Sequence, residues 1–219
     1  MANQGFSISD SISFGWESMK KNIGFFIALL LICGITGGIL DAMQKMAEQA
    51  HSGLMNFVVF IISLVLNILI SMGMIKIALS CARGQKPNFN DLVNCYPLFF
   101  KYLFASLLYA LIVFGGLLLL IVPGIIWAIQ FGFYGYYLVD EKVGIIESLS
   151  KSSALTGGVK WDLLCFHLLC FLLNLAGALC LLVGLFATVP TTMVALAYVY
   201  HALRQDNASV KPGAPVLSA

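Results

Sequence analysis

The chain has 219 residues, of which 60% are hydrophobic and 10% charged, with a mean hydropathy of +0.95 and a formal net charge of +2. Soluble domains carry about a quarter charged residues, so a water-soluble fold is excluded, and the small net charge without a basic stripe excludes a nucleic-acid platform. The six cysteines, Cys33, Cys81, Cys95, Cys165, Cys170 and Cys180, form no CxxC pair and have no partner at zinc spacing; they read as small apolar packing residues, and no metal or cofactor is implied.

Four stretches carry no Asp, Glu, Lys or Arg: 22–40, 52–75, 102–139 and 163–203. A helix rises about 1.5 Å per residue and the hydrocarbon core is about 30 Å thick, so roughly 20 residues cross once. The first two stretches are one crossing each, and the last two are long enough for a hairpin each. The expected fold is therefore all-α: a polytopic membrane bundle of six transmembrane helices.

In chain order, the first element is an amphipathic helix over 7–21, with Ile8, Ile12, Trp16 and Met19 at helical spacing and Ser7-x-x-Asp10 as its capping start. Spans follow over 22–40 and 54–76. A second amphipathic helix over 88–96 presents Phe89, Leu92, Val93 and Tyr96 on one face and ends at Pro97. The next hairpin gives spans over 98–121 and 123–139, with Gly115-Gly116 and Pro123-Gly124 as turn candidates. A third amphipathic helix over 144–157 carries Ile145, Ile146 and Leu149 on one face and a Glu147–Lys151 pair on another. Spans over 161–183 and 186–204 complete the set, with a break expected around Gly184 and Val189-Pro190, and the 206–219 tail is expected to be disordered and cytoplasmic.

Three pseudo-repeats of interfacial helix plus span pair follow from this order. Each repeat meets the membrane at an aromatic residue with a lysine: Trp16 with Lys20 and Lys21, Tyr96 with Lys101, and Lys160 with Trp161. Such residues anchor helices at headgroup level. With the N-terminus inside, only Lys45 of the 12 Lys and Arg residues faces out, which places both termini in the cytoplasm and the chain in a bacterial inner, or plasma, membrane.

Several ordered stretches resemble a family of small bacterial integral membrane proteins that is similar to the membrane domain attached to some glycerophosphoryl diester phosphodiesterases. They are Ile12-Ser13-Phe14-Gly15-Trp16 with Lys20-Lys21-Asn22-Ile23-Gly24, Ala82-Arg83-Gly84 before Pro87-Asn88-Phe89, and Leu119-Leu120-Ile121-Val122-Pro123-Gly124-Ile125-Ile126. Leu138-Val139-Asp140-Glu141-Lys142, Glu147-Ser148-Leu149 and Val183-Gly184-Leu185 continue the likeness. The resemblance implies a fold and no catalytic residue, since the phosphodiesterase barrel has no counterpart in this sequence.

Chemistry inside the membrane requires polar side chains, because burying an ionised one costs at least about 2.5–3.5 kcal/mol. The deep candidates are uncharged: Asn67, Gln130, His167 and Asn174, each expected to hydrogen-bond between helices. Lys76 is expected to snorkel to the headgroups, and Asp140-Glu141-Lys142 to form a solvated span end with its own counter-charge. The serines over 148–153 have no nearby His to activate them, and no catalytic motif appears. Gly34-x-x-x-Gly38, Ala128-x-x-x-Gly132 and the Ala176, Cys180, Gly184 series are expected to seal helices together.

The function expected from these features is non-enzymatic: organising lipid or partner proteins at the inner leaflet. Its partners are the lipid bilayer and a membrane protein or a second copy, with no nucleic acid. The rival is a transporter or channel for a small neutral or amphipathic solute.

Overall fold

A computed structural model describes residues 6–93, 95–180 and 183–210. Its helices are α1 (Ile8–Lys21), α2 (Ile23–Gln49), α3 (Gly53–Ala82), α4 (Asn90–Val93), α5 (Phe99–Leu119), α6 (Ile121–Phe131), α7 (Tyr134–Asp140), α8 (Ile145–Leu155), α9 (Lys160–Leu179) and α10 (Leu185–Val210), with a 3-10 turn over Tyr96–Leu98. Among the described residues six helical segments are long and apolar enough to cross a membrane: Ile23–Gln49, Gly53–Ala82, Asn90–Leu119, Ile121–Asp140, Lys160–Leu179 and Leu185–Asn207.

The first helix starts where its cap predicts, with the Ser7 hydroxyl accepting from the Asp10 amide at 3.3 Å. Of the expected apolar face, Met19 is buried and Ile8 and Ile12 pack against the core. The buried stripe is Ser11, Gly15 and Met19, whereas Trp16 is exposed. Residues four apart stack on one helix face, and with hydrogen as its side chain Gly15 brings α1 onto the backbone of α10: a Cβ there would stand 2.3 Å from the Thr191 carbonyl oxygen. Phe14 stacks on Tyr198 at 4.7 Å and Phe6 meets Phe166 edge-on at 5.6 Å.

The span after α1 runs on well beyond 40. Ala, Met, Gln, Lys and Glu are strong helix formers, and no Gly or Pro interrupts 41–49, so the expected loop is helix as far as Gln49. The chain turns through His51, whose φ is 51°. The second amphipathic element is far shorter than 88–96, a single turn followed by the 3-10 turn. It packs on α3 and α2: a Cβ on Gly73 would lie 2.6 Å from the Leu92 Cα, and the Phe89 and Phe25 rings are 4.4 Å apart.

The α5–α6 turn comes at neither expected glycine pair but at Leu120, a single extended residue (φ −167°, ψ 155°). Pro123 falls in the first turn of α6, where its missing N–H has no partner to lose. Gly116 and Gly124 instead let the two arms approach, a Cβ on the first lying 2.9 Å from the Cα of the second. The α9–α10 hairpin uses the same device: a Cβ on Gly184 would lie 2.7 Å from the Gly177 Cα. Pro190 lies inside α10 and breaks nothing. This helix also extends to Val210, so 206–210 of the expected tail are helical, while 211–219 lie outside the described residues. By contrast, Gly34 and Gly38 meet nothing within 4 Å among the described residues, so that spacing seals no two of the described helices, and Gly132 lies near the carbonyl of Ala128 in its own span.

Two apolar clusters fill the interior. The larger contains Tyr102, Phe133, Tyr134, Tyr136, Tyr137, Phe166 and Tyr200. The smaller joins Met19, Phe26, Leu29, Ile77, Cys81 and Val194.

Overpacking a tight contact costs about 1–3 kcal/mol, whereas Gly to Ala in an open helix gains about 0.5–1 kcal/mol. Gly15→Ala is therefore expected to lower the melting temperature in detergent micelles, and Gly34→Ala to leave it unchanged or raise it slightly; circular dichroism melts compare the two directly.

Candidate functional site

The fourth span is broken. Between α6 and α7 the helical ladder is interrupted at Gly132–Phe133, which leaves the Gln130 carbonyl and the Phe133 amide in need of partners. Ser152 on α8 supplies both: its hydroxyl accepts from the Phe133 amide at 3.0 Å and donates to the Gln130 carbonyl at 3.0 Å. Thr156 reaches the same carbonyl at 3.2 Å. Ser148, Ser152 and Thr156 are all fully buried and follow one another at four-residue spacing on one face of α8 and its C-cap. The buried face of α8 is thus partly polar, and Ile146 points outward.

The Gln130 side chain extends this network. Its amide nitrogen donates to the Ser153 hydroxyl at 2.6 Å, and its amide oxygen accepts from the Lys160 ammonium at 2.7 Å. Gln130 therefore joins α6 to α8 and α9. Expected as a deep polar candidate that hydrogen-bonds between helices, it does so, with one partner a lysine read as a headgroup anchor. Neither sequence spacing nor hydropathy brings 130 and 160 together; the break in the span does.

A second polar cluster gathers the ends of α3, α7 and α10. Asp140, the last residue of α7, has a side chain only 6% exposed. It pairs with Arg83 at the end of α3 and with Arg204 on α10 at 2.9 Å. The Tyr200 hydroxyl donates to it at 3.4 Å. Glu141 pairs with Arg204 at 3.0 Å and with Lys151 at 2.7 Å, and Lys151 also bridges Glu147 at 3.0 Å. The expected solvated Asp140-Glu141-Lys142 end is thus a network drawn from four helices, and Lys142 is not its counter-charge. Lys142 has φ 55°, and its carbonyl accepts from the Lys101 ammonium at 3.3 Å. Hydrogen bonding to Glu141 raises the Lys151 pKa above the ordinary lysine value, and the bond to Lys151 lowers that of Glu147. A raised lysine stabilises below its unfolded pKa and a lowered glutamate above its own, so this bridge is constant across the neutral range.

The remaining sequence candidates are separate. Asn67 donates to the Ser63 carbonyl of its own helix at 2.8 Å and lines a cavity of about 350 Å³ between α2 and α3. His167 is bonded to the Leu163 carbonyl one turn back at 2.7 Å. Asn174 bridges helices, donating to the Thr192 hydroxyl at 3.2 Å, while its buried carbonyl oxygen has no partner among the described residues. His167, Asn174 and Thr192 share a cavity of about 240 Å³ between α9 and α10. Lys76 pairs with Asp91 at 3.1 Å, so its ammonium is held by α4. Lys20 stands 5.9 Å over the Trp16 ring; Tyr96 and Trp161 are exposed, as is Lys21. Among the described residues no group of three His, Cys, Asp or Glu side chains is placed to hold a metal.

A family model described as an uncharacterised protein family, UPF0259, matches residues 34–203. An uncharacterized protein of Mycobacterium bovis is 23% identical over 99% of this chain and 75% of its own length. One from Mycobacterium tuberculosis matches with the same figures. A UPF0259 membrane protein of Pectobacterium carotovorum is 26% identical over 58% of this chain and 52% of its own length. The last of these names agrees with the sequence reading of an integral membrane protein, and none mentions a phosphodiesterase. No solved structure matches.

Leaving a buried backbone group without a partner costs about 1–3 kcal/mol, so Ser152→Ala is expected to destabilise the protein by about that amount, measured by thermal unfolding in micelles. Breaking a buried ion pair costs about 3–5 kcal/mol and an exposed one about 0–1. With Asp140 buried but Arg83 and Arg204 42% and 44% exposed, Asp140→Asn is expected to cost about 1–3 kcal/mol. The Arg83→Gln, Asp140→Asn pair should lose less than the sum of its parts in a double-mutant cycle.

Proposed function

Because the chain belongs to the UPF0259 family, we propose that it is a non-enzymatic membrane protein that organises lipid or partner proteins at the inner leaflet of a bacterial plasma membrane, with both termini in the cytoplasm. The observation that carries this reading is where polarity lies. The ion pairs sit at span ends and connecting segments, among Lys76, Asp91, Arg83, Asp140, Glu141, Lys151 and Arg204, all on the inner side by the lysine and arginine distribution. Exposed Trp16, Tyr96 and Trp161 belong to the same side. The threefold repeat is part of the proposal; the paired glycines that close both later hairpins support it.

One observation favours the rival, a transporter for a small solute: a discontinuous span is a recurrent feature of transporter sites. Here, however, the freed backbone groups are satisfied by Ser152 and the core is filled by aromatic rings. Two measurements decide. A topology reporter fused after Ala50 should be exported and one fused after Gly144 retained; the reverse pattern removes the inner-leaflet reading. Purified protein in liposomes should give no solute flux above protein-free liposomes, and a flux abolished by Gln130→Leu or Asn174→Leu would establish the transporter instead.

A further inference from the structure

We propose that the groove between α6 and α9 binds one anionic glycerophospholipid, its acyl chain along the isoleucines of α6 and its phosphate on the Lys160 ammonium. This rests on the inner-leaflet reading above and names the ligand. The groove has a volume of about 270 Å³ and is walled by Val122, Ile125, Ile126 and Ile129 on α6 and by Lys160 and Trp161 on α9. Its walls are almost wholly apolar, and Lys160, which begins α9, is the one charged residue among those that line it.

That combination matches a lipid. The Lys160 stem lines the groove while its ammonium is held by the Gln130 amide oxygen. An ammonium has three donors; Gln130 takes one, and among the described residues no carboxylate stands within salt-bridge distance of Lys160. Two donors thus remain for an anion at a point fixed by the Gln130–Ser153 bond. Beside it Trp161, 75% exposed, has an apolar ring and a single N–H donor, the pairing that favours headgroup level. A second copy or a partner helix would match the apolar walls but would neutralise the lysine only if it also set a carboxylate at that one point. A phosphodiester joined to an acyl chain supplies both.

Native mass spectrometry of the full chain released from detergent micelles tests this, with dioleoyl phosphatidylglycerol and dioleoyl phosphatidylcholine added at equal concentration. The wild type is expected to retain one phosphatidylglycerol in about fivefold preference, what a single lysine contributes toward an anionic lipid. Lys160→Gln should remove the preference and Lys160→Arg restore it. Ile126→Phe, which fills the groove and keeps the charge, should lose the bound lipid, while Lys45→Gln, at the opposite end of the spans on α2, should change nothing. Phosphatidylglycerol retained equally by Lys160→Gln and Ile126→Phe would overturn the groove and leave the broader lipid reading standing. A wild type that binds neither lipid would count against both, and a lipid-free dimer would assign the groove to a second copy and overturn the proposal.

Discussion

The hydrogen bonds that Ser152 makes across the break in the fourth span set the arrangement of everything around them. A backbone amide and carbonyl freed in an apolar bundle must find partners within the protein, and the nearest donor-acceptor group is a hydroxyl on α8. Once Ser152 is committed to the Gln130 carbonyl and the Phe133 amide, α8 cannot lie flat on a membrane surface with only its apolar residues engaged. It must be packed against the end of α6. That position puts Ser153 and Lys160 within reach of the Gln130 side chain and Lys151 within reach of Glu141.

The carboxylate of Asp140 plays a related part for the spans that flank it. A carboxylate with 6% exposure is costly unless compensated, and its compensation comes from two arginines on two other helices, Arg83 and Arg204. Both arginines keep part of their surface in contact with solvent, so the pairs lose less by desolvation than fully buried ones. They also fix position, since α3, α7 and α10 can meet at Asp140 in only one register. The aromatic layer beneath, where Tyr200 packs on Phe133, Tyr136 and Tyr137, depends on that register.

Much of this fold was legible in the sequence because the membrane imposes it. Stretch length against bilayer thickness gives six spans, the Ser7 cap marks the start of α1, and the Glu147–Lys151 pair needs only helical spacing. What stayed hidden depends on which residues meet across helices. The apolar-face search finds Met19 and Leu149, which are buried, and Ile8, Ile12 and Ile145, which pack against the core, but it passes over Ser11, Gly15, Ser148, Ser152 and Thr156, which are buried beside them and carry no strong hydrophobicity. Glycines 116, 124 and 184 read as turn or packing residues alike, and Gly177 carries no signal of its own; only contact distances separate the roles. Gln130 looked deep because its span looked continuous.

The break has one more consequence. An unbroken helix from 121 to 140 presents each face in one direction along its whole length, yet this span has two unlike sets of neighbours. Through Gln130 and the isoleucines before it, α6 faces α9. Through Tyr134, Tyr136 and Asp140, α7 faces the aromatic core and the arginines of α3 and α10. An 11-residue helix rises only about 16 Å, roughly half the hydrocarbon core, so α6 alone cannot cross and α7 must finish the span. Interrupting the ladder lets each half choose its own face, at the cost of two orphaned backbone groups, and a single serine offsets that cost.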